Sequence, residues 1–442
     1  MAAAEGLTAQ AIARLTPLAR VKAILGGSAG NLVEWYDWFA YASFSLYFAK
    51  VFFPKGDQTD QLLQTAGVFA VGFFARPVGA WVMGLYADRA GRKAALMLSV
   101  LMMCAGSLIV AVTPGYAAIG VAAPVILTAA RILQGLSVGG EYGASATYMS
   151  EMAGRARRGF WSSFQFVTLI GGQLTALAVL IVLQQTLSTR DLDAWGWRVP
   201  FVIGALLAVV VFWIQNGLEE TASFRVEQAR ERGGETSRGA TMLLFTRHPR
   251  ETAMIFALTA GGSLAFYCFT TYMQKFLTNT AHYSKTTATE ITAVSLLMFL
   301  IIQPLFGWIG DHVGRRTLLA AAFGLGALTT WPIMHAIAVS HDAALALALV
   351  CGALVILAGY TSVNAVVKSE LFPTNVRALG VALPYALANA VFGGTAESVA
   401  LAFKRAGHEF YFYLYVSAVL VVACSVALRM RDTQKTSLIA ED

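Results

Sequence analysis

The chain has 442 residues, of which 57% are hydrophobic and only 13% charged, with a formal net charge of +7 and a mean hydropathy of +0.62. That is more apolar surface than a soluble core could bury, so the composition excludes a soluble enzyme or binding module and predicts a polytopic membrane protein. The basic excess is spread over many loops rather than gathered on one face, which argues against a nucleic-acid partner.

Apolar runs long enough to span lie at roughly 24–50, 62–86, 95–112, 119–149, 160–186, 199–216, 252–279, 287–310, 317–339, 343–370, 378–403 and 409–429. Each approaches or exceeds the ~20 residues that a crossing helix needs. Backbone groups cannot stay unpaired in lipid, so the runs must be helices, and no run has the alternating pattern of a barrel strand. The predicted fold is all-α, with twelve transmembrane helices in two pseudo-symmetric six-helix bundles. The expected units are an N-terminal segment 1–21, bundles 22–216 and 251–429, a connector 217–250 and a tail 430–442. With the amino terminus inside, 21 basic residues fall on the inner side and 6 on the outer. This bias predicts cytoplasmic termini. The polar first 17 residues followed by a long span containing Glu34 and Asp37 predict a retained first helix rather than a cleaved signal.

In chain order, the first helix carries GNLVEWYDW, residues 30–38. At ~1.5 Å per residue, Glu34 and Asp37 fall near mid-membrane, one turn apart on one face. Acids at that depth face a watery cavity or a basic partner, and either a proton relay or a helix-packing ion pair explains them. The second helix carries FFARPVG. Arg76 is suited to hold a carboxylate bidentately, or else it neutralises one of the two acids; Pro77 allows a bend beside it.

A charged turn follows, G-x-x-x-D-R-x-G-R-K from Gly84 to Lys93. It recurs as GWIGDHVGRR at residues 307–316, with Gly84, Asp88, Gly91 and Arg92 mapping onto Gly307, Asp311, Gly314 and Arg315 at a constant offset of 223. A second spacing, E-x6-R, occurs as Glu151 to Arg158 and again as Glu370 to Arg377. These repeats predict two related halves in parallel orientation. The charges of Asp88, Arg89, Arg92, Glu151, Asp311, Arg315, Glu370 and Arg377 are expected to latch neighbouring helices and to part when the helices separate. A substrate-carrying role for Arg92 is the alternative.

The fourth helix reads RILQGLSVGGEYG, residues 131–143. Gly135, Gly139 and Gly143 form a smooth stripe for tight packing. Arg131 shares the depth of Glu34 and Asp37, and an arginine beside a protonatable acid is a proton-coupling device. Glu141 lies deeper, among the expected gating residues. In the fifth helix the amide of Gln173 faces either substrate or a neighbouring helix. WGWRVPF opens the sixth helix with Arg198, an interfacial anchor or a ligand. Residues 217–250 read as a mixed-charge surface connector. In the seventh helix Tyr272 and Lys275 approach the outer end. Lys275 supplies a second cation for a doubly charged substrate or snorkels to the interface. Catalytic and cofactor signatures are lacking: Cys104, Cys268, Cys351 and Cys424 are scattered singly, none of the six histidines is clustered, and there is no P-loop. GGSAG at residues 26–30 fits a nucleophile elbow only formally, since it sits in a helix. No enzyme activity and no cofactor are expected.

The paired charged turns and twelve spans resemble the major facilitator superfamily. GNLVEWYDW, FFARPVG, RILQGLSVGGEYG, WGWRVPF and KSELFPTNVRALG are similar to its metabolite:proton symporter branch. The segments LLQTAGVF, SATYMSE, SSFQFVTLIGGQL, FTTYMQKFL and FGGTAE narrow the likeness to a carrier of α-ketoglutarate. The resemblance covers about residues 22 to 428 and implies proton-driven import of α-ketoglutarate across the bacterial inner membrane, by rocking of two six-helix domains in a monomer. Citrate, another organic acid or a zwitterionic osmoprotectant is the alternative substrate. Ala94 and His312 stand where the family's turns usually carry basic residues. The resemblance does not decide which cations hold the substrate. The residues themselves point to Arg76, Gln173, Tyr272, Lys275 and Arg198 for binding, and to Glu34, Asp37 and Arg131 for proton coupling.

Overall fold

The computed structural model describes residues 17–90, 92–138, 157–216, 244, 246–373 and 376–439; the side chains of 17–30, of most positions between 84 and 96, of 214–216 and of 378 lie outside that description. The spanning helices are α1 (Pro17–Phe52), α2 (Gln58–Ala90), α3 (Arg92–Val112), α4 (Ala122–Val138), α5 (Phe164–Thr186), α6 (Val199–Asn216), α7 (Pro249–Asn279), α8 (Lys285–Val313), α9 (Arg315–Val339), α10 (Ala343–Glu370), α11 (Leu379–Arg405) and α12 (Phe410–Arg429). No strand occurs among the described residues.

Where the helices start and stop follows local chemistry. Ser284 caps α8 by accepting from the Thr287 amide at 3.0 Å, and Asp342 caps α10 by accepting from Ala344 at 2.9 Å. α1 begins at Pro17, earlier than expected from hydropathy, because the glycines at 26, 27 and 30 do not interrupt it. At the first charged motif α2 runs to Ala90 and α3 begins at Arg92. Its repeat is similarly tight. Gly314 alone joins α8 to α9, at φ +93°, a conformation that a side chain would strain. Gly84, Asp88, Arg89, Gly91 and Arg92 have side-chain surroundings outside the described residues, and Gly139, Glu141, Gly143 and Glu151 lie outside them entirely.

The packing repeats after six helices. In the first half α1 packs on α5, α2 on α4 and α3 on α6; in the second, α7 packs on α11, α8 on α10 and α9 on α12. The halves meet along α5 with α8 and along α2 with α11, two contacts exchanged by the same pseudo-twofold. Close approach needs missing side chains at two places. A Cβ on Gly135 of α4 would fall 2.1 Å from the Gly72 carbonyl of α2, and one on Gly159 would fall 2.7 Å from the Gly307 carbonyl of α8. Large apolar groups such as Trp213 (77% exposed) and Leu328 (76%) cover the periphery, as helices surrounded by hydrocarbon require. The face at which α12 ends is here called the terminal face and the opposite one the distal face.

Candidate functional site

Polar groups concentrate where α1, α2 and α4 meet one another, on the side where α1 and α2 face the second half. α1 is held to α5 by Asn31, which donates to Thr168 at 3.0 Å and accepts from the Trp35 indole at 2.9 Å. The next turns present Trp38, whose ring carries two guanidiniums, Arg76 and Arg131, each 4.0 Å from its centroid. Arg76 also lies 4.2 Å over Phe73 and 5.1 Å over Trp35, while Arg131 lies 4.4 Å over Tyr41. Ring faces attract such cations and shield them from lipid. They do not satisfy the N–H groups: Nε and Nη2 of Arg76, and the same two nitrogens of Arg131, are buried without a hydrogen-bond partner among the described residues. Glu34 of α1, Tyr267 of α7 and Tyr385 of α11 lie within electrostatic reach of Arg76, which therefore sits between the halves.

Asp37 is 1% exposed. It accepts from the Ser107 hydroxyl of α3 and from Gln134 Nε2 at 2.5 Å. Gln134 Oε1 in turn accepts from Arg131 Nη1 at 2.7 Å. The expected neighbourhood of Asp37 and Arg131 is present, with Gln134 interposed between them. Sequence reasoning gave no role to Gln134, although its i+3 spacing from Arg131 puts both on one helical face; Ser107 carried no signal in its apolar run. Glu34 is buried one turn from Asp37.

In the second half Lys275 is buried, not snorkelled to an interface, and its Nζ lies 2.7 Å from Oε2 of the buried Glu397 in α11. Each partner follows a π-helical segment, Cys268–Tyr272 in α7 and Asn389–Gly393 in α11. One extra residue per turn there re-aims the groups that follow. Tyr272 donates to Glu409 at 3.2 Å, toward the distal face. Gln173 is buried in α5, with Oε1 lacking a hydrogen-bond partner among the described residues. Arg198 stands apart from this group; its Nη2 donates to the Thr113 carbonyl at 2.9 Å and its guanidinium covers Trp197 at 4.1 Å.

Bridges close both faces. At the terminal face Asp311 accepts the Gly159 and Phe160 amides from the first half at 2.8 and 3.0 Å. Arg315 pairs with Glu370 and, at 3.4 Å, with Asp311; Arg158 reaches Glu370 at 3.4 Å. Arg377 donates to the carbonyls of Phe372 and Leu438 at 3.1 and 2.9 Å, so the second E-x6-R spacing joins a wider network than its own two ends. At the distal face Asn279 donates to Thr59 at 3.3 Å, Arg405 lies 2.8 Å from Asp60, and Lys285 reaches the Leu46 carbonyl at 2.8 Å. Two buried arginines on one ring, one of them facing the second half, between pseudo-symmetric halves that are bridged at both faces, fit the geometry of a carrier.

The sequence matches the family described as "Sugar (and other) transporter" over residues 23–243 and again over 232–441. It is 51% identical over 416 residues to the alpha-ketoglutarate permease of Escherichia coli (strain K12), covering 94% of this chain and 95% of that protein. It is 32% identical over 383 residues to the citrate-proton symporter of Salmonella typhi, covering 87% of each. The partially occluded inward-open structure of the xylose transporter from E. coli superposes with a TM-score of 0.71 at 19% identity, over 91% of this chain and 95% of that one, and so shares the fold. The chain is a transporter, not an enzyme, and belongs to the "Sugar (and other) transporter" family within the major facilitator superfamily, in its metabolite:proton symporter branch.

Proposed function

We propose that the chain imports α-ketoglutarate together with protons across the bacterial inner membrane by alternating access, as a monomer with cytoplasmic termini and without nucleic-acid partners. The observation that carries this reading is the guanidinium of Arg76, buried between the halves with two N–H groups unpartnered among the described residues. A planar fork in that state is matched to a carboxylate, and the relative at 51% identity is named for a dicarboxylate. The 21-to-6 bias of basic residues supports the orientation.

In the cycle, a proton settles on Asp37 or Glu34 while the cavity is open outward. Protonated Asp37 no longer binds Gln134 and Ser107 as a full anion, and Gln134 relaxes its hold on Arg131. The dicarboxylate docks on Arg76, with Gln173 and the outer-end groups Tyr272, Lys275 and Arg198 along its path. Bringing a carboxylate into low dielectric requires a fixed cation and a matched charge, so proton and substrate move together. The halves then rock on the α5–α8 and α2–α11 contacts. The Asp311, Arg315, Glu370 and Arg377 network opens the cytoplasmic side, together with Gly84, Asp88, Arg89, Gly91, Arg92, Glu141 and Glu151.

Uptake of labelled α-ketoglutarate into proteoliposomes, with and without an inward proton gradient, tests the reading, using citrate, succinate, shikimate and betaine as competitors. Uphill uptake that collapses with a protonophore and is blocked only by close C5 dicarboxylates is the expected result. Citrate or betaine accumulating instead would leave the symporter standing and overturn the substrate.

A further inference from the structure

A substrate with two carboxylates offers an anionic group at each end, and in the proposed site Arg76 supplies a cation from the first half for one of them. Lys275 and Lys368 are both buried in spans of the second half; Lys275 pairs with Glu397 at 2.7 Å, and it is Lys368 whose contacts lead toward Arg76. Lys368 of α10 is 1% exposed and sets its ammonium 4.2 Å over the ring of Tyr385 in α11. From Tyr385 a continuous wall leads back to Arg76. Asn389 donates to the Tyr385 hydroxyl at 3.4 Å, and the π-helical segment that begins at Asn389 brings Gly393 against the Tyr267 ring of α7. Tyr267 meets Phe73 of α2 edge-on at 5.3 Å, and the Phe73 ring carries the Arg76 guanidinium at 4.2 Å. Tyr267 and Tyr385 both lie within electrostatic reach of that guanidinium. Along this wall Asn389 Oδ1 is buried without a hydrogen-bond partner among the described residues.

We propose that Lys368 is the second cation of the substrate site. It takes the distal carboxylate of a dicarboxylate whose other carboxylate sits on Arg76, and it thereby sets the preference for a dianion over a monoanion. The inference rests on the reading of the chain as a dicarboxylate carrier. The two cations come from opposite halves, so only a ligand with a carboxylate at each end ties the halves together as they close. An analogue lacking the distal carboxylate gives up that tie, and sites built around a charged or hydrogen-bonding group reject such analogues far more strongly than sites that merely fit a shape.

The test compares inhibition of labelled α-ketoglutarate uptake by unlabelled α-ketoglutarate and by 2-oxopentanoate, which has the same chain length and ends in a methyl group. The wild type is expected to prefer the dicarboxylate at least about tenfold, equivalent to about 1.4 kcal/mol. Lys368→Met is expected to raise half-saturation by α-ketoglutarate about tenfold or more, to leave inhibition by 2-oxopentanoate unchanged, and so to erase the preference. Lys368→Arg keeps the charge and lengthens the reach; it should move the preference from the C5 dicarboxylate toward the C4 oxaloacetate. The proposal is overturned if Lys368→Met weakens both inhibitors equally or neither, or, should that variant fail to fold, if Lys368→Arg leaves the C5-to-C4 ratio unchanged. A wild type that does not distinguish α-ketoglutarate from 2-oxopentanoate would instead refute the dicarboxylate reading itself.

Discussion

Asp37 and Arg131 are joined through a single amide: Gln134 donates to the carboxylate at 2.5 Å and accepts from the guanidinium at 2.7 Å. In the proposed cycle this amide is the route by which the protonation state of Asp37 reaches Arg131. Ser107 ties the same carboxylate to α3, so the Asp37 carboxylate, α3, α4 and the Trp38 ring under both arginines are linked by direct contacts.

Asp37→Asn should abolish accumulation driven by a pH gradient while leaving exchange of labelled for unlabelled substrate, because the amide keeps the size of the side chain and one oxygen to accept from Gln134, can turn its NH2 toward the Ser107 hydroxyl, and cannot take up or release the proton. Gln134→Leu breaks the connection without touching either charge, and should lower gradient-driven uptake more than exchange. Both rates are measured in the same proteoliposomes. Undiminished accumulation in Asp37→Asn would remove Asp37 from the proton path.

Arg76→Lys keeps the positive charge and loses both the fork and the flat contact with Trp38 and Phe73. Half-saturation for α-ketoglutarate should rise by at least about tenfold, the equivalent of about 1.4 kcal/mol, with Arg76→Gln worse. Because the two arginines share one ring, Trp38→Leu should raise half-saturation and impair coupling together. Concentration dependence of initial uptake checks both, and a normal value in Arg76→Lys would place the carboxylate elsewhere.

Much of this was legible before any coordinates. Counting ~1.5 Å per residue placed Glu34, Asp37 and Arg131 at one depth, and the repeated charged turns predicted the pseudo-twofold that the packing obeys. Partners distant in sequence were not legible. Lys275 reads equally as snorkelled or as ligand-binding until Glu397, 122 positions on, is seen against it. Likewise Glu370 draws Arg315 and Arg158 into its network, because helices whose ends converge at one membrane face need not be near in sequence. The π-helical segments left no trace in hydropathy, since an added residue per turn shifts direction without changing composition.

Lys275 and Glu397 also make a stability prediction. Removing one partner leaves a charge in a closed apolar setting, typically a loss of about 3–5 kcal/mol, whereas replacing both with apolar residues is often neutral. Glu397→Gln should therefore lower the thermal unfolding midpoint of the purified protein well below the wild type, and Lys275→Met with Glu397→Met should recover most of the loss. Equal destabilisation by the single and double variants would mean that packing, not charge pairing, matters at this place.

The proposed latch at the terminal face centres on Asp311, whose two carboxylate oxygens accept the amides of Gly159 and Phe160 while Arg315 lies 3.4 Å away. Asp311→Asn removes the charge and one of the two acceptor oxygens, so one backbone amide loses its partner, the other bond weakens, and Arg315 is left to Glu370 alone. Gly159→Val acts from the other side, because a Cβ there meets the Gly307 carbonyl at 2.7 Å and holds the halves apart. Two variants with unrelated chemistry should thus give one result, a shift of the population toward opening at the terminal face. A cysteine placed at Gln434, which donates to the Asp311 carbonyl at 2.7 Å, should react faster with a membrane-impermeant thiol reagent in inverted vesicles for both variants than in the parent background. Since the distal bridges at Asn279 and Arg405 remain intact, labelling of a cysteine at Thr59 from outside should fall over the same comparison. A rise at both faces would indicate loss of structure rather than alternation, and no change at either would remove Asp311 from the gate.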